Sequence, residues 1–194
     1  IGAFTPKIVS IGPLHHSDEH LKVMQETKVK YLEQFLQHVA KTERLHEQPE
    51  LYNREEKLKF LGWHVMVDPI ETVANDYSCL GKFLSILKSL ENDIRSSYAD
   101  NLNHIPSGEF LRIVLVDAAF IIELFLREHF ESKGDPLLDG GYLPIIIRAD
   151  LWLLENQLPF SNNCTALLSA LIFLIFTLLS LNLHASILEY IIIR

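Results

Sequence analysis

A chain of 194 residues, 48% of them hydrophobic, is long enough for one domain with a real core and too apolar to be disordered. Its formal net charge of −8, with no Lys/Arg cluster, argues against a nucleic-acid surface, which needs concentrated positive charge to displace counterions. The two cysteines, Cys79 and Cys164, stand far apart outside any CxxC pattern, which disfavours a disulfide framework and a structural zinc site.

The first stretch, to about His20, is rich in turns. Pro6 and the pair Gly12-Pro13 punctuate it, which predicts a short extended segment followed by a turn. From Leu21 the pattern changes. Leu21, Met24, Tyr31, Leu32, Phe35, Leu36 and Val39 recur at three- and four-residue steps, one stripe of an amphipathic helix with Lys and Glu opposite. Ser17 and Asp18 are candidate N-cap acceptors for that helix. Gln48-Pro49 separates it from a less regular helix with Leu51, Leu58, Leu61 and Val65 as buried positions, interrupted by Gly62 and closed by Asp68-Pro69.

Residues 79–99 predict a clearer helix, with Leu80, Phe83, Leu84, Leu87, Leu90, Ile94 and Tyr98 on one face. Residues 110–130 follow, with Ser107 as a cap, and are apolar on nearly every side, as expected of the central helix of a bundle. Gly134-Asp135-Pro136 and Gly140-Gly141 form a loop, and a short helix is expected over 149–157, stopping at Pro159. No strand-type alternation of any length occurs, so the fold class is all-α: an irregular helical bundle.

The last segment differs. Residues 162–187 contain no Asp, Glu, Lys or Arg, and the run 166–181 is broken only by Ser169, Thr177 and Ser180. About twenty such residues cross a bilayer core of roughly 30 Å. The expectation is therefore a helical domain over 1–160 and a transmembrane helix over 162–188, partnered by the lipid bilayer. A buried hairpin or core helix is the alternative. The sequon Asn163-Cys164-Thr165 sits at the edge of the run and is expected to be unused.

Several polar residues are candidates for chemistry. His15 and His16 are adjacent and cannot share a helix face, while His16 and His20 have the four-residue step used in helical zinc sites. No Glu follows His16 directly and no third ligand is apparent, so loop-holding roles are favoured over a metal. Asp117 lies inside an apolar helix, where a carboxylate needs a partner, and Arg112 and Arg148 are the candidates. Glu123 shares that helix on a different stripe. Asp150 can cap the short helix, and Glu155, Asn156 and Gln157 can bond carbonyls at its end. No GxSxG, P-loop, GxGxxG or DxDxDG pattern is present.

Three pieces then line up in order: "VSIGPLHH" over 9–16, "LVDAAFIIELFLR" over 115–127 and "ADLWLLENQLPF" over 149–160. Together they resemble the plant domain-of-unknown-function family 247, also called UPF0481, across most of residues 6–160. The residues carrying the resemblance are Gly12, Pro13, His15, His16, Asp117, Phe120, Glu123, Asp150, Glu155, Asn156, Gln157 and Pro159. Where the family has DGCF, this chain has Asp117-Ala118-Ala119-Phe120. The resemblance implies a largely helical plant protein with a C-terminal membrane anchor and no established enzymatic activity, and no cofactor is expected. It also implies a longer chain, so this one is read as truncated, lacking an upstream segment and a helical region after Phe160.

The leading expectation is thus a non-enzymatic, membrane-anchored plant protein for recognition or scaffolding, at the plasma membrane or endomembranes, with an unknown protein partner and no nucleic acid. Two alternatives stand beside it. One is a metal-dependent hydrolase using His15, His16 or His20 with a carboxylate such as Asp117. The other is a degenerate fragment without independent function.

Overall fold

The computed structural model describes residues 5–47, 78–129, 134–139 and 141–159. Four α-helices order these residues: α1 over Lys22–Glu47, α2 over Ser78–Ser96, α3 over Ser107–His129 and α4 over Leu143–Leu151. No strand occurs among the described residues, so the chain is all-α. The expected helix over 49–67 and the apolar stretch over 162–188 lie outside the described residues. Among the described residues, no helix is long and apolar enough to cross a membrane.

The central position expected of the most apolar helix is where α3 stands. It packs on α1 and on α2, and Phe110, Ala118, Ala119 and Phe120 are fully buried. Two adjacent alanines let neighbouring backbone approach closely, while Phe120 fills the space beside them against the Tyr31 ring, 5.1 Å between centroids. Burying one such phenylalanine contributes roughly 2–3 kcal/mol. The expected stripe is buried at Met24, Tyr31, Phe35, Leu36 and Val39 on α1 and at Leu21 just before it. From α2, Phe83, Leu87 and Ile94 face inward, with the Phe83 and Phe35 rings 5.8 Å apart. Leu84, expected on that inward face, is 37% exposed.

Arg95 ties down the connection from α2 to α3. It donates from its two terminal nitrogens to the carbonyls of Leu102 (2.7 Å) and Ile105 (3.0 Å), and its guanidinium lies 4.0 Å over the Phe110 ring. A planar cation with a fork of donors can satisfy loop carbonyls and stack at once.

Local expectations need correction at three helix starts. Residue 18 is the N-cap of a single 3₁₀ turn over Glu19–Leu21 that leads into α1, but the Asp18 side chain makes no cap hydrogen bond; it turns to His15. Ser107 opens α3, yet its hydroxyl donates to Glu91 on α2 (2.7 Å). The short helix lies earlier than expected, over 143–151 and not 149–157. Pro144 in its first turn supplies a preset helical φ and needs no N–H partner there. Asp150 accordingly sits in the last turn, where it cannot cap a start.

Candidate functional site

Five of the family-motif residues, Gly12, Asp117, Asp150, Asn156 and Gln157, meet at one object, the strap of residues 7–12. Among the described residues its backbone has no neighbouring strand to pair with, yet it is largely buried, so its N–H and C=O groups find side-chain partners. Asp150 accepts three of them: the N–H of Lys7 (2.9 Å), Ile8 (2.7 Å) and Val9 (3.0 Å). Asn156 takes the next from both sides. Its Oδ1 accepts the Ile11 N–H (2.6 Å), and its Nδ2 donates to the Val9 carbonyl (2.9 Å) and to the Asp150 carbonyl (3.0 Å). Asp117 from α3 accepts the Gly12 N–H (2.8 Å), and Lys28 from α1 donates to the Ser10 carbonyl (2.9 Å).

Gly12 is where the strap turns. Its φ is +77°, and a Cβ there would stand 2.8 Å from the Tyr98 hydroxyl and 3.0 Å from the Gln157 carbonyl oxygen. That hydroxyl donates to the same carbonyl (3.2 Å), so Gln157 takes part through its backbone. Pro13 follows, buried, and Pro159 is half-buried beyond the 150–157 corner.

The Asp117 partner is Lys28, not Arg112 or Arg148. Lys28 Nζ pairs with Asp117 Oδ1 at 0% and 1% side-chain exposure, while Arg148 pairs with Glu128 at the surface. Burial pushes the Asp117 carboxyl up from its ordinary value, against the opposing pull of Lys28 and the Gly12 N–H.

A second buried network joins α1, α3 and the loop after α3. Arg127 donates to Glu123 (2.8 Å), to Asp135 (2.6 Å) and to Gln34, with its guanidinium 4.7 Å over the Tyr31 ring. The Tyr31 hydroxyl lies 2.8 and 2.7 Å from the two Asp135 oxygens, and His38 Nδ1 lies 3.0 Å from Glu123. Burial and the Asp135 hydrogen bond push the Tyr31 phenol up. Burial alone would raise the Glu123 carboxyl, but His38 and Arg127 outweigh it and pull it down. Phe120, packed on Tyr31, is core.

The three histidines diverge. His15 Nδ1 meets Asp18 at 3.2 Å, its Nε2 lies 3.9 Å from an exposed Glu155 oxygen, and His20 Nε2 bonds the Pro6 carbonyl at 3.2 Å. His16 is half-buried, and burial together with Lys28 and Arg112 lowers its pKa. Among the described residues, no group of three or more His, Cys, Asp or Glu could hold a metal ion. The metal-dependent alternative, using His15, His16 or His20 with a carboxylate such as Asp117, thus finds no such group among the described residues.

Reading the residues alone missed Lys28, Arg127, Asp135 and His38. A signal for Lys28 existed: it occupies the α1 stripe between Met24 and Tyr31, where an apolar residue is due. Arg127 stands four residues after Glu123, the spacing of a helical ion pair.

The sequence model of a family described as "plant protein of unknown function", DUF247, matches residues 2–162. A UPF0481 protein of Arabidopsis thaliana is 29% identical over 160 residues, which is 81% of this chain and 26% of that protein. The chain thus spans about a quarter of the relative's length. No solved structure matches.

Proposed function

The chain belongs to the plant family of unknown function DUF247, and on that premise we propose that it is a non-enzymatic, membrane-anchored protein for recognition or scaffolding. One observation carries the non-enzymatic part. The motif carboxylates Asp117 and Asp150 are buried and spent on the strap backbone, as is the Asn156 amide. A general acid or base must reach the proton it moves, and these groups already hold main-chain N–H groups or Lys28. Their chemistry is to fix a chain segment, which suits a rigid body that presents a surface.

The anchoring part is supported by the charge-free stretch 162–187, which is long enough to cross a bilayer core and carries the apolar run 166–181 at its centre. In this reading the helical body stands at the plasma membrane or an endomembrane of a plant cell and meets a protein partner there. Alkaline carbonate extraction of membranes from plant cells expressing the tagged chain tests it. The chain is expected in the pellet, and deletion of 162–194 is expected to move it to the supernatant. Release of the intact chain would overturn the anchored reading.

A further inference from the structure

Helix α4 is apolar on its outward side as well as on the side that packs inward through Leu143, Ile147 and Leu151. Tyr142, Ile145, Ala149 and Trp152 recur at steps of three, four and three residues, which keeps them on one stripe. That stripe is turned outward: Tyr142 is 82%, Ile145 60% and Trp152 54% exposed, and Ala149 is exposed as well. The inward side is held by Ile147 and by Asp150, which is committed to the strap. Leu154, just past the helix, is 85% exposed. Val23 apart, these are the most exposed large apolar side chains among the described residues. An apolar stripe displayed this way marks a contact surface.

We infer that this stripe rests on the surface of a lipid bilayer, in the plane of the interface. Three observations select lipid. Tyr and Trp, each an apolar body with a polar tip, are the residues that settle at the headgroup boundary. The charge-free stretch begins at residue 162, ten residues after Trp152, so even a fully extended connection holds the stripe within about 35 Å of it. Arg148, at the edge of the stripe, is paired with Glu128, so that edge carries no net charge and contact needs no anionic lipid. The inference rests on the anchored reading of 162–188 and deepens it: the body lies on the membrane and is not merely tethered to it.

The test uses the full chain with Trp63→Phe, which leaves Trp152 as its single tryptophan. It is reconstituted in phosphatidylcholine vesicles doped with lipid brominated either high on the acyl chain or near its end. The expected result is a blue shift of Trp152 emission and a loss of intensity that is larger with the upper bromine. Adding Ile145→Ser and Leu154→Ser is expected to weaken the quenching while the chain still floats with the vesicles and keeps its helical circular dichroism. Flotation without quenching of Trp152 overturns the inference and leaves the anchor standing. Flotation without quenching but with cross-linking between copies assigns the stripe to a second copy, and overturns it too. A chain that neither floats nor is quenched overturns the anchor and the inference together.

Discussion

Lys28 and Asp117 form an ion pair sealed inside the fold, bridging α1 and α3 at the point where each also holds one backbone group of the strap. Desolvating two charges is expensive, and their attraction with extra hydrogen bonds must offset it. Here the Ser10 carbonyl and Gly12 N–H supply those bonds. Lys28→Met leaves Asp117 buried without a cation and is expected to lower unfolding free energy by about 3–5 kcal/mol, read by urea denaturation. Lys28→Met with Asp117→Asn removes both charges, keeps an acceptor for Gly12, and is expected to recover part of the loss. A double variant less stable than Lys28→Met would refute the pairing as the source.

Asp150 acts at longer range in sequence and on a different quantity. One carboxylate accepts the N–H groups of Lys7, Ile8 and Val9, bonds strengthened by its charge. Asp150→Ala strands those donors, two of them on residues that are buried or half-buried, and is expected to cost about 1–3 kcal/mol. The sharper expectation is local. Amide exchange at Ile8 and Val9 should accelerate far more than exchange at α3 positions such as Ala118. Equal acceleration throughout would mean the strap unfolds only with the whole domain.

The response to acid has two opposite contributions. Burial would raise the Glu91 carboxyl, but hydrogen bonds from Lys88 (2.7 Å), Ser107 (2.7 Å) and Arg95 (3.0 Å) pull it from 4.5 down to about 2. A depressed folded pKa contributes stability that is complete above 4.5 and is lost as pH falls toward 2. Glu123, also lowered, has the same sign. Asp117 is raised, so its contribution is largest at low pH and declines as pH climbs above 3.8. The loss of unfolding free energy between pH 7 and pH 3, read by urea denaturation, is expected to shrink in Glu91→Gln by about 1–2 kcal/mol once solvent screening is allowed for. An undiminished loss would show that Glu91 is not held by these donors.

The helices were legible because burial repeats along them. Tyr31, Phe35 and Val39 on α1, and Phe83, Leu87 and Ile94 on α2, follow the period that water-avoidance imposes on any packed helix. The need of Asp117 for a partner was legible too, since a carboxylate in an apolar helix must be compensated. The identity of that partner was not, because Lys28 is 89 residues away and nothing local selects it over Arg112. The strap clamp was hidden for the same reason: Asp150 and Asn156 reach residues more than 140 positions earlier. The start of α4 is poorly marked in the sequence, since Ile145, Ile146 and Ile147 are β-branched and carry weak helix propensity. Packing of Ile147 and the preset φ of Pro144 override that preference.

Gly12 offers the most discriminating substitution, because two effects combine at one atom. Its φ of +77° disfavours any L side chain, and a Cβ would collide with the Tyr98 hydroxyl at 2.8 Å and the Gln157 carbonyl oxygen at 3.0 Å. A hydroxyl can be removed, but the Gln157 carbonyl is backbone in the corner that Asn156 ties to the strap and cannot retreat without loosening that tie. Gly12→Ala is therefore expected to destabilise by at least about 2 kcal/mol. Adding Tyr98→Phe should return only a minor part. Gly108, in the first turn of α3, has nothing within 4 Å of its would-be Cβ, so Gly108→Ala is expected to be neutral or to stabilise by up to about 1 kcal/mol. Thermal melts of the three variants separate the causes. Full rescue by Tyr98→Phe would make the hydroxyl the whole obstacle, whereas equal melting of Gly12→Ala and Gly108→Ala would dismiss both the turn conformation and the close approach of the corner.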